Sequence, residues 1–128
     1  MRLLLDTHAF LWWASEDPAL SATARRQIES PRNDVFVSPV SAWEIVLKAG
    51  LGKLTTPSPV DEFIPEQMAR NRFDVLPLSI THVLQVSHLP EHHRDPFDRL
   101  LVAQAMVEGL SFVTGDQHMS RYDVRVVW

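Results

Sequence analysis

Apolar residues along this chain follow two rhythms. Short, mainly apolar runs occur at Arg2 to Leu5, at Val35-Phe36-Val37, at Ser111 to Thr114 and at Val124 to Val127. Such runs read as buried strands. Between them the apolar positions recur at helical spacing. Thr7 to Ala14 predicts a helix with Phe10, Leu11 and Trp13 or Ala14 on its inner face. Ser21 reads as the cap of a helix reaching about Ser30. Ser38 caps another, with Pro39 at its first position and Gly50 as its stop. Ser58-Pro59 opens a helix to about Arg72, and Ser79 one to about Ser87. Val75 to Leu78 reads as a short strand whose Pro77 suggests an edge or an early end. Asp95-Pro96 opens a long helix to about Glu108. Strands alternating with helices predict an α/β fold whose parallel sheet is covered on both faces. There is no repeat, linker or low-complexity tract, so residues 1–128 read as one domain.

Composition narrows the chemistry. No cysteine is present, which excludes disulfides, thiolate metal sites and cysteine nucleophiles. No apolar run approaches the length of a membrane span. The apolar stretch before Asp6 is too short for a signal-peptide core, so a cytoplasmic protein that does not engage membranes is expected. The net charge is −4, from 16 acidic and 12 basic side chains. Setting aside four acids discussed next leaves 12 against 12. Lys48, Lys53, Arg94, Arg99 and Arg121 lie near the same motifs and offer a local basic rim.

Those four acids are Asp6, Glu44, Asp98 and Asp116. Each follows a strand or sits on a helix beside a strand end. In a parallel sheet such positions meet at the carboxyl edge, where ligands bind. Carboxylates brought to about 4 Å at an effective dielectric of 20 repel by roughly 4 kcal/mol per pair. A hard divalent cation relieves that, and with it comes phosphate chemistry. Each acid also has a plain structural reading. Asp6 is a good helix cap and Asp116 a turn residue. Asp98 at the third helical position favours the helix dipole. Glu44 is the hardest to explain structurally, because it lies between Trp43 and Ile45-Val46-Leu47. Asp95 reads as cap or supporting acid. His92 and His93, beside Asp95 and Asp98, could suggest a histidine-rich metal site, but read rather as a solvated loop, given Pro90-Glu91 before them. Trp12, Trp13 and Trp43 read as core or interface, with at least one of the adjacent pair partly exposed.

Several strings together resemble PIN-domain ribonucleases, and within them the VapC-type toxins of bacterial toxin–antitoxin pairs. They are Leu4-Leu-Asp-Thr-His-Ala-Phe-Leu-Trp-Trp, Ser41-Ala-Trp-Glu-Ile-Val-Leu-Lys, Gly52-Lys-Leu, His93-Arg-Asp-Pro-Phe-Asp-Arg-Leu-Leu-Val-Ala-Gln-Ala and Val113-Thr-Gly-Asp. The resemblance runs in order over nearly the whole chain, and the string from Asp95 to Ala105 is its most specific element. It implies a three-layer α/β/α sandwich and an acidic site for Mg²⁺ or Mn²⁺ at Asp6, Glu44, Asp98 and Asp116. Thr7 and Thr114 match small hydroxyl positions that support such a site, and Asp95 matches an acid of this subgroup. An RNA substrate, a cognate antitoxin and a homodimer are implied as well. The expected reaction is attack on phosphorus by a metal-activated water, leaving 5′-phosphate and 3′-hydroxyl ends.

Two other classes compete. A haloacid-dehalogenase-like phosphatase also starts with a strand ending in Asp, but wants a second Asp at position 8, where His8 stands. A receiver-like signalling module needs a lysine late in the chain, and the only lysines are Lys48 and Lys53. A non-catalytic interaction protein would have no use for four converging carboxylates.

Overall fold

The computed structural model describes residues 1–128. Strand β1 (Arg2–Leu5) is central, with β2 (Asp34–Val37) and β3 (Asp74–Val75) on one side. Strands β4 (Ser111–Val113) and β5 (Val126–Val127) lie on the other, giving the order β3-β2-β1-β4-β5. All four pairings are parallel, with Leu3 opposite both Val35 and Ser111. The helices are α1 (Thr7–Ala14), α2 (Ala22–Glu29), α3 (Pro39–Gly50), α4 (Val60–Asn71), α5 (Ile80–Gln85) and α6 (Pro96–Glu108).

Alternation along β1 divides the core. Leu3 and Leu5 face a cluster with Phe10, Ala24, Ile45 and Phe63, from α1 to α4. Leu4 faces the opposite cluster, with Phe112 of β4 and Leu101, Val102 and Ala105 of α6. All three leucines are fully buried, which is why β1 reads as an unbroken apolar run rather than an alternating one. The architecture is the expected three-layer sandwich. No helix is long and apolar enough to cross a membrane.

Most predicted boundaries hold within a residue or two. The stop of α3 differs: Gly50 is still helical, Leu51 caps the helix, and Gly52 takes the positive φ of 72°. Ser58 does not cap α4, which starts after Pro59 without a side-chain cap, while Arg72 turns the chain left-handed at its end. The last strand is shorter than the apolar run beginning at Val124. The edge position of β3 is as Pro77 indicates, since a residue without an N–H cannot continue a ladder.

A buried polar chain ties the second layer together. Ser38 Oγ donates to Gln104 Oε1 at 2.5 Å. His82 Nδ1 accepts the Ser79 amide at 3.0 Å, and its Nε2 donates to Glu108 Oε1 at 2.8 Å. These bonds anchor α5 to α6 and α6 to the start of α3.

Candidate metal centre

The strand order reverses direction between β1 and β4, because β1 leads out to β2 and β4 to β5. Side chains just past those two strand ends share a crevice at such a point. Asp6 follows β1, while Thr114, Gly115 and Asp116 follow β4. Asp98 joins them from the first turn of α6. Asp6, Asp98 and Asp116 line one cleft of about 310 Å³, together with His8, Trp12 and Trp128. Glu44 lines a neighbouring cleft of about 440 Å³ with Thr7, Lys48 and Lys53. His8 and Trp12 border both clefts, their rings 5.4 Å apart. Three of the four predicted acids thus share one cavity, and the fourth stands next door.

The structural and functional readings of these acids turn out to be compatible. Asp6 Oδ1 caps α1 by accepting the Ala9 amide at 2.7 Å. Asp116 Oδ1 accepts the His118 amide at 2.9 Å and caps a short 3-10 turn, Gln117–Arg121. The Ala9 amide thus orients the Asp6 carboxylate and the His118 amide that of Asp116. Glu44 Oε2 is hydrogen-bonded to Lys48 one turn later on α3, while its Oε1 is buried with no partner. Asp95 is the cap of α6, its Oδ1 accepting the amides of Phe97 at 2.8 Å and Asp98 at 3.2 Å. Of the two readings of Asp95, cap or supporting acid, the cap is the one its hydrogen bonds show.

Electrostatics agrees with crowding. Burial raises the carboxyl pKa of Asp6, partly offset by the Thr114 hydroxyl and the Ala9 amide. Asp98 is pushed up to about 7, first by burial, then by the negative charges of Asp95 and Asp6. Lys48 is held above its ordinary value by its bond to Glu44, with Asp95 and Asp98 adding attraction. Hard oxygen donors, a protonation-prone Asp98 and an orphaned buried oxygen on Glu44 fit a divalent cation.

The supporting residues divide. Thr114 Oγ1 accepts the Asp116 amide at 3.1 Å and so links the ends of the site. Thr7 instead donates to Ser41 Oγ at 3.1 Å, bracing α1 against α3. Gly115 is required by packing: a Cβ there would come within 2.8 Å of the Trp128 indole. The basic rim is smaller than expected. Arg99 donates to the carbonyl oxygens of Val86, Pro90 and His93 and so clamps the loop before α6. Lys48 is paired, which leaves Lys53, Arg94 and Arg121 exposed.

The reading of His93 as solvated loop is wrong. Its side chain is only 17% exposed and its Nε2 sits 2.7 Å from Asp116 Oδ2 and 3.5 Å from Asp98 Oδ2. Its proximity to Asp98 in the chain was the available signal. Of the tryptophans, Trp12 and Trp13 are both half-buried and Trp43 is 55% exposed.

The family model of the PIN domain matches residues 3–125. The chain belongs to the PIN-domain family. Ribonuclease VapC22 of Mycobacterium tuberculosis is 30% identical over 120 residues, spanning 91% of this chain and 88% of that relative. Ribonuclease VapC16 of the same organism is 38% identical over 69 residues, 51% of this chain and 48% of its own length. Among solved structures, VapBC2 from Rickettsia felis bound to a promoter DNA fragment has a TM-score of 0.74 at 14% identity, covering 98% of this chain and 97% of that one. DNA-bound VapBC from Salmonella typhimurium has a TM-score of 0.69 at 16% identity, covering 98% and 96%. At those identities the likeness establishes the PIN fold. PIN-domain nucleases are generally dependent on divalent metal, and the acidic cluster here has the donors for one.

Proposed function

We propose that this PIN domain is a metal-dependent endoribonuclease toxin of the VapC type, held in check by an antitoxin. The observation that carries the reading is the convergence of Asp6, Asp98 and Asp116 in one cleft, beside the unpartnered oxygen of Glu44. The near full-length relative named a ribonuclease supports the substrate class. The proposed ligand set is Asp6, Glu44, Asp98 and Asp116, with Thr114 and Asp95 in support and Thr7 bracing α1. The proposed ion is Mg²⁺ or Mn²⁺, which when bound supplies charge neutralisation and an activated water for displacement at phosphorus.

The chain's own residues do the remaining work. Asp6 and Asp116, oriented by their caps, would hold the ion without reorganising. Asp98, its carboxyl pushed up to about 7 by burial and by the charges of Asp95 and Asp6, would be favoured in its ionised form by a bound cation. Trp12 and His8 border the cleft and offer faces to a base, and Lys53 offers a cation to the adjoining phosphate.

Solved structures of this fold include a toxin–antitoxin complex from Klebsiella pneumoniae, and the same kind of partner is proposed here. The antitoxin surface was expected near Trp12, Trp13 and α4; the apolar groove of about 580 Å³ instead lies between α3 and α4, lined by Pro39, Ala42, Ile64, Met68 and Phe73 and by neither tryptophan. Self-association is proposed through α5, where Ile80, Val83 and Leu84 are 74%, 46% and 60% exposed. A cytoplasmic location goes with this function.

The phosphatase alternative gains nothing, since position 8 carries an exposed imidazole stacked on Trp12. End analysis of the cleaved RNA tests the proposed chemistry. 5′-Phosphate and 3′-hydroxyl ends are expected, and 2′,3′-cyclic phosphate ends would exclude water as the nucleophile.

A further inference from the structure

The loop before α6 carries an imidazole drawn into the acidic cluster. His93 Nε2, Asp98 and Asp116 present ligand-type atoms within 4.8 Å of one another. On spacing alone the imidazole would pass for a metal ligand. Its hydrogen bonding says otherwise. His93 Nδ1 lies 3.0 Å from the backbone N of Asp95. A main-chain amide only donates, so Nδ1 supplies the lone pair and the ring proton resides on Nε2. Nε2 therefore directs an N–H, not a lone pair, at Asp116 Oδ2, 2.7 Å away.

We infer that His93 is a positioning residue that orients Asp116 for the cation by donating from Nε2, and is not itself a ligand. The inference rests on the cleft being the metal site. Asp116 needs such help. It lies on a partly exposed turn after β4, its side chain 29% exposed. The His118 amide holds Oδ1 and His93 holds Oδ2, so both oxygens are fixed. Oδ2 keeps a second lone pair for the ion. His93 is itself held twice, at Nδ1 by the Asp95 amide and at its carbonyl oxygen by Arg99 at 3.3 Å. The string His93-Arg94-Asp95-Pro96-Phe97-Asp98-Arg99 is thus one device. It caps α6, aims Asp98, and steadies Asp116 from across the cleft. Hydrogen bonds to ligating carboxylates of this kind are worth about 10–100-fold in metal affinity.

The test is Mn²⁺ titration of the full chain, His93→Ala and His93→Gln, with free Mn²⁺ followed by electron paramagnetic resonance. Pulsed spectra of the bound ion report any directly coordinated nitrogen. His93→Ala is expected to weaken Mn²⁺ binding about 10–100-fold. His93→Gln keeps an N–H donor and should recover most of the loss, which a general packing defect would not do. The wild-type spectrum should show no nitrogen coupling that depends on His93. A coupling that vanishes in His93→Gln makes His93 a ligand and overturns the inference. Equal affinity in all three proteins overturns it too. A wild-type chain that binds no Mn²⁺ defeats the metal-site reading itself, and the role of His93 with it.

Discussion

Lys48 is hydrogen-bonded to Oε2 of Glu44 one turn earlier on α3, and Oε1 of the same carboxylate has no partner at all. Glu44 is 3% exposed, so Lys48 is the one charge that offsets it in the absence of metal. Removing a partner from a buried pair costs about 3–5 kcal/mol. Lys48 is 36% exposed, so solvent screens part of that. We expect Lys48→Ala to lose about 1–3 kcal/mol in metal-free urea unfolding, the range for an uncompensated buried group. Adding Glu44→Gln should return much of the loss. Unchanged stability in Lys48→Ala would mean that Glu44 is better solvated than its burial indicates.

Asp98 makes stability depend on pH in an unusual direction. Its folded pKa is about 7, against roughly 3.9 for an unfolded Asp. Between those values the folded chain binds the proton more tightly, so the group's contribution is full below the lower value and is lost as pH rises through the upper one. Asp6 is displaced in the same direction by burial. Metal-free wild type should therefore lose ground to Asp98→Asn between pH 5 and pH 8. Mn²⁺ should stabilise wild type at pH 8 and do little at pH 5. Urea midpoints of the two proteins at both values check this, and a constant difference between them would show that Asp98 is not perturbed.

The α5 surface gives a separate prediction. Ile80 and Leu84 lie one turn apart and are both strongly exposed. Ile80→Glu with Leu84→Glu should convert a dimer to a monomer in analytical ultracentrifugation, with metal binding intact. A wild-type chain that sediments as a monomer would remove this face from consideration.

Much of this was legible beforehand, for identifiable reasons. Leu3-Leu4-Leu5 announces a strand buried on both faces because nothing polar interrupts it. Ser38-Pro39 and Asp95-Pro96 announce helix starts because cap and ring act locally. The meeting of Asp6, Asp98 and Asp116 in one cleft was legible because the carboxyl ends of parallel strands converge. His93 was not, since a histidine beside Pro90-Glu91 looks solvated until the sheet brings Asp116 to it. Nor was Arg99, whose partners are the main-chain carbonyls of Val86, Pro90 and His93, groups every residue possesses. Gly52 rather than Gly50 ends α3 because Gly50 tolerates helical angles and the positive φ falls two residues on.

The central claim is that the acidic cleft cleaves RNA by holding a divalent cation. Incubating the purified chain and Asp98→Asn with structured RNAs, in Mn²⁺ or Mg²⁺ and again in excess chelator, tests it most directly. Wild type should cleave only with metal, and Asp98→Asn should cleave about 100-fold or more slowly, as for other losses of preorganised electrostatic stabilisation. Cleavage that persists in chelator, or at full rate in Asp98→Asn, would contradict it.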